Sequence, residues 1–126
     1  MIVDAAPSLG GQAVGSIIGT IIGLYTHGPQ PYQITHGIAD ELIADLIQEG
    51  SLSRRVSMTG TITFQYDEVR LARWIERKVE EAGIRALVGA VLTGVGFDGR
   101  RVRHLELATR FGSARVEARS YVDASG

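Results

Sequence analysis

The chain has 126 residues and no cysteine. That removes disulfide frameworks, thiolate nucleophiles and cysteine metal sites together, and it suits a reducing compartment. Lysine is almost missing too. Lys78 stands alone among thirteen basic residues, and the other twelve are arginine. The first 53 residues carry no basic group at all. The early apolar run therefore follows Asp4 and not the positive segment that opens a secretory signal. A membrane-crossing helix needs roughly 20 apolar residues, and the best run here is about 15, interrupted by Gln12, Ser16 and Thr20. These absences together predict a cytoplasmic protein with no membrane span.

Catalytic signatures are scarce as well. His27, His36 and His104 show neither HxxxH nor HExxH spacing, so no metal site is expected. No serine sits in a GxSxG elbow. No pair of carboxylates stands apart from the surface charges. No cofactor is expected from these patterns.

What is present begins with size and charge. The length is that of one domain, and an apolar fraction of 44% with 21% charged residues is enough for a core without staples. A single domain over 1–126 is expected, with flexible ends at 1–10 and 123–126. Charge is unevenly spread. Asp4, Asp40, Glu41, Asp45 and Glu49 give the first 53 residues five negative charges and no positive ones. The remainder holds all the basic groups, and the whole chain nets −1. An acidic front and a basic back can pair within one fold or between copies.

The segment GQAVGSIIGTIIGLYTHG places Gly11, Gly15, Gly19 and Gly23 every fourth residue. It does not alternate as a strand would, so a helix over Gly11–Thr26 is expected, stopped by His27-Gly28-Pro29. Each glycine costs a helix interior about 1 kcal/mol against alanine, so close packing along the bare stripe must compensate. A phosphate loop would need GxGxxG or GxxxxGK[ST] after a strand, and the stripe has neither.

Further along, Thr35 is a plausible cap for an acidic amphipathic helix from His36 to Glu49. RVSMTGTITFQY alternates and reads as one half-buried strand. DEVRLARWIERKVEEAG reads as a helix that buries Leu71, Trp74, Ile75, Val79 and Ala82. Three strands follow, joined by turns at Asp98-Gly99 and Gly112-Ser113. Alternation places His104 on the polar, surface side of the middle one. The expected fold class is α+β in the order α-α-β-α-β-β-β. Its four-stranded, mostly antiparallel sheet would have helices packed on one face.

These features favour a small self-assembling homo-oligomer, a ring or tube with a structural or interaction role and room for other protein subunits. Gly11, Gly15, Gly19 and Gly23, with Arg100, Arg101 and Arg103, would form its contacts. The alternative is a small-molecule-binding protein or acid–base enzyme built on Tyr25, His27, Tyr32 and His36, with its pocket at a subunit boundary. A nucleic-acid accessory role is disfavoured by the net charge and by the acids set among the arginines.

Overall fold

The alternating run at residues 55–66 folds back on itself instead of running straight. The computed structural model describes residues 1–16 and 18–125. Its elements are β1 (Ile2–Val3), α1 (Gly11–Gly15), β2 (Thr20–Ile22), α2 (Ile38–Gln48), β3 (Leu52–Val56), β4 (Ile62–Tyr66), α3 (Glu68–Glu81), β5 (Ala86–Leu87), β6 (Ala90–Asp98), β7 (Arg101–Thr109) and β8 (Gly112–Glu117). They gather into two units. One is Leu9–Gly83, and the other joins Met1–Ser8 to Ile84–Gly126.

In the Leu9–Gly83 unit, Ser57–Thr61 makes the turn that splits the expected single strand. The amide of Gly60 donates to the Ser57 carbonyl at 3.0 Å, and Val56 pairs with Ile62 to close the hairpin. Gly60 is required there because a Cβ would collide with the carbonyl of Gly28. β4 is the centre of an antiparallel sheet ordered β2-β4-β3. Its inward residues Ile62, Phe64 and Tyr66 join Leu46, Leu52, Leu71 and Trp74 in one buried cluster.

The helices explain themselves locally. The Asp67 carboxylate accepts from the Arg70 amide at 2.9 Å and caps α3. Leu71 and Trp74 are the buried residues of that helix. α2 starts two residues later than a Thr35 cap would place it. Its N-cap is Gly37, whose amide donates to the Asp40 carboxylate at 2.9 Å. That bond is the largest cause holding the Asp40 carboxyl below its ordinary range. The acidic face of α2 meets basic residues of α3. Arg77 pairs with Glu49 at 2.9 Å, and Lys78 with Glu41 at 3.0 Å and Asp45 at 3.3 Å. Part of the front-to-back charge asymmetry is thus neutralised inside this unit.

The glycine-striped helix expected over Gly11–Thr26 does not form. α1 covers Gly11–Gly15 alone, and Thr20–Ile22 is a strand paired with β4. Ile17, in the middle of the expected helix, lies outside the described residues. Gly19 and Gly23 have φ of +60° and +93°, in the left-handed region that a right-handed helix cannot contain. The four glycines therefore share no face. At Gly11, Gly15 and Gly23 an added Cβ would meet nothing within 4 Å, so among the described residues no neighbour lies along a stripe.

In the other unit, β1 and β5 form a two-stranded parallel pair, with Ile2 opposite Ala86. Ile2, Asp4 and Ala6 join the unit through backbone hydrogen bonds. Asp4 donates to the Leu87 carbonyl, and the Asp4 and Ala6 carbonyls accept from Ala90 and Gly89. β6, β7 and β8 form an antiparallel meander, and Leu107 is buried within it. The turns fall one or two residues from their expected centres. Asp98 pairs with Arg101 around Gly99-Arg100, and Thr109 pairs with Gly112 around Arg110-Phe111.

The expected four-stranded sheet with helices on one face is therefore corrected. Among the described residues there are three helices and eight strands, in three small sheets of two, three and three strands, and the chain is mostly β. The reason is local. The Ser57–Thr61 turn makes a hairpin, and a piece of the glycine segment completes its sheet. The meander is then a sheet of its own. None of the described helices is long and apolar enough to cross a membrane.

Candidate functional site

Titratable side chains gather in three places. The first is the segment Tyr25–His36. Tyr25 and Gln33 form a bridge, and the Tyr25 hydroxyl donates to Gln33 Oε1 at 3.0 Å. The Gln33 amide reaches both the Thr35 carbonyl and an Asp40 carboxylate oxygen. The other Asp40 oxygen lies 3.4 Å from His36 Nδ1. Tyr25 and His36 are thus ends of one polar chain through Gln33 and Asp40. His27 belongs to a different set. Its Nδ1 and the Thr61 hydroxyl are hydrogen-bonded at 2.8 Å, and Ser57 and Thr59 extend the hydroxyl row. Tyr32 is tied through its backbone to Thr26, and its ring is exposed. Of the four residues singled out from sequence, two share a network, one has its own, and one stands apart. Gln33, Asp40 and Thr61 were not singled out. Asp40 was recognisable as N3 of the helix, where a carboxylate turns back onto the N-cap amide.

The second place lies between α2 and α3. Trp74 Nε1 donates to Asp45 Oδ2 at 2.8 Å, and the Lys78 ammonium sits 5.5 Å from the Trp74 ring centre. The Trp74 bond first, then Lys78, holds the Asp45 carboxyl below its usual range. Glu41 and then Asp45 raise Lys78. An open hollow of about 450 Å³ is lined by Asp45, Gln48, Glu49, Arg77, Lys78 and Glu81. Most of its charges already satisfy one another, so it offers little to a ligand.

The third place is one face of the meander. In register across the three strands lie Gly96, His104 and Glu117, then Gly94, Glu106 and Arg115. His104 Nε2 is 3.5 Å from Glu106 Oε1, and Arg115 bridges Glu117 at 3.1 Å. The His104 side chain is only 16% exposed, although alternation placed it at the surface. Its ring lies where a Cβ on Gly96 would be, and its Nδ1 is buried with no hydrogen-bond partner among the described residues. The readable signal was the pair of glycines inside a strand, which marks a close approach. Arg100, Arg101 and Arg103 sit exposed at the β6–β7 turn and just beyond it. Among the described residues, no group of three acidic or histidine side chains is placed to hold a metal ion.

A family model described as FAD dependent oxidoreductase matches residues 1–126. No curated protein and no solved structure matches the chain. The family match overturns the expectation of a structural, self-assembling subunit and the assembly vocabulary attached to it. The packed glycine stripe that would favour assembly does not form among the described residues.

FAD is a dinucleotide, and proteins hold its pyrophosphate with a strand, a GxGxxG turn and the N-terminus of the following helix. Those letters do occur here, as Gly94-Val95-Gly96-Phe97-Asp98-Gly99, well beyond the glycine-spaced segment at 11–28. Their setting is a β-hairpin. The segment is paired with β7, and the chain turns straight into that strand with no helix. A Cβ at Gly94 would lie 2.7 Å from Glu106 Oε2, and one at Gly96 would strike the His104 ring. The space those glycines open is filled by the chain's own side chains, one of them anionic. The described residues do not fit the dinucleotide.

Proposed function

The chain belongs to the FAD dependent oxidoreductase family, and on that premise we propose that it works in a flavin-dependent oxidation–reduction. The match over all 126 residues carries this reading. The chain's own part in it is to handle protons and shape the surroundings of the reaction, not to grip the cofactor. Two imidazoles support that role. His36 is held by Asp40, and His27 by Thr61, so each ring has one nitrogen fixed. A ring fixed in this way presents its other nitrogen in a defined direction, as an acid–base group must. A cytoplasmic setting, suggested by the absence of cysteine, goes with this proposal.

The test is to tag the chain in its source cells, purify what it resides in, and record the absorbance. A flavin spectrum that bleaches under anaerobic reductant and returns in air supports the proposal. Abundant purified protein free of flavin overturns it.

A further inference from the structure

We infer that Gly94, Gly96 and Gly99 are strand and turn glycines despite their fingerprint spacing, and that the grip on the adenine and pyrophosphate of FAD is built from residues outside 1–126. The inference rests on the proposed flavin function and says where within that function this chain does not act.

A phosphate-binding turn works because several backbone N–H groups are free and converge, with a helix dipole behind them. Neither condition is met at Gly94–Gly99. Leu92, Gly94, Val95, Gly96, Phe97 and Asp98 all have ladder partners in β7. The Glu106 carboxylate leans over Gly94, and a carboxylate there repels a pyrophosphate. Gly99, with φ +57°, serves the hairpin turn.

The rest of the described chain offers no substitute. The two long helices, α2 and α3, have acidic N-termini. Asp40 holds the Gly37 amide with Glu41 beside it, and Asp67 holds the Arg70 amide with Glu68 beside it. An anion would have to displace a carboxylate at either end. The one parallel pair among the described residues, β1 with β5, is two residues long, too short for a mononucleotide-binding βαβ unit.

Two measurements test this. First, the isolated chain is titrated with FAD and with ADP, while the near-ultraviolet dichroism of buried Trp74 reports that it is folded. No saturable change in flavin fluorescence and no heat with ADP are expected. One FAD per chain, competed away by ADP, overturns the inference while leaving the flavin function standing. Second, Gly99→Asn is introduced into the tagged protein in its source cells. Asparagine accepts a left-handed φ, and a Cβ at this position meets open space. Flavin per chain should stay within twofold of the parent. A tenfold loss, the result expected where the third fingerprint glycine is altered, overturns the inference even if the isolated chain fails to fold. Failure of the function itself reads differently, as a source-cell preparation with no flavin in the parent.

Discussion

The imidazole of His104 occupies the place that a side chain on Gly96 would need. The two residues face each other across β6 and β7. One is bare so that the other can lie down, and the ring is thereby covered to 16% exposure. Gly96→Ala should therefore cost about 1–3 kcal/mol, the usual penalty of overpacking. The diagnostic is coupling. His104→Ala removes the obstruction, so the double variant should be more stable than the sum of the single changes predicts, by at least about 0.5 kcal/mol. Urea denaturation of the four proteins measures it. Strict additivity would show that the ring swings away freely.

Tyr66 ties the core sheet to α1. Its hydroxyl donates to the Ala13 carbonyl at 2.6 Å. Tyr66→Phe should cost about 0.5–1.5 kcal/mol and speed hydrogen exchange at the Ser16 amide, which closes α1 on Gln12. Burial first, then the Glu68 charge, raises the Tyr66 hydroxyl above its ordinary value of 10.0. A folded-state pKa raised in this way stabilises the fold below the unfolded value. That contribution is lost as pH rises through the folded one. The parent should lose stability above about pH 10, and the phenylalanine variant should lack that share of the loss.

Gly60 backs directly onto the Gly28 carbonyl. Gly60→Ala would force apart the Ser57–Thr61 turn and the loop carrying His27, at a cost of about 1–3 kcal/mol. The His27–Thr61 hydrogen bond is the contact at stake. NMR of the His27 ring nitrogens should show Nδ1 losing its bonded shift in the variant. An unchanged Nδ1 signal would mean that the loop follows the turn intact.

The Asp45 carboxyl is lowered by Trp74 and then Lys78. Asp40 is lowered chiefly by the Gly37 amide. For a depressed carboxyl the stabilisation is complete above the unfolded value, 3.8 in both cases, and is lost as pH falls through the folded value. Melting temperature should thus drop below pH 4 in the parent. Asp45→Asn and Asp40→Asn should each begin lower and fall less steeply. Parallel curves for parent and variants would remove these carboxylates from the acid transition.

Legibility from sequence followed the strength of local signals. α3 was readable because an aspartate cap, an apolar stripe and a terminal glycine agree on one element. The meander was readable because alternation and turn glycines coincide. The hairpin at 52–66 was hidden, since a tight turn at Ser57–Gly60 preserves alternation on both sides and mimics one long strand. The segment at 11–26 misled because glycine spacing suits a helical stripe, yet glycine equally permits the left-handed turns at Gly19 and Gly23. The flavin family left no legible mark, because the only fingerprint letters, at Gly94–Gly99, are spent on packing His104 and Glu106. Asp40 stands one helical turn from His36 and was open to recognition as the N3 carboxylate of α2, whereas Thr61 is 34 residues from His27 and emerges as its partner only once the chain is folded.

The parallel pairing of Ile2 with Ala86 also sets an order of assembly. Closing a loop of about 80 residues costs on the order of 4 kcal/mol in chain entropy. The return comes from a handful of backbone hydrogen bonds made by Ile2, Asp4 and Ala6, each worth about 1 kcal/mol net. Residues 2–6 cannot pair before residues 85–90 have been made, so they are among the last of this unit to find their place. They must wait while everything between Leu9 and Gly83 is synthesised.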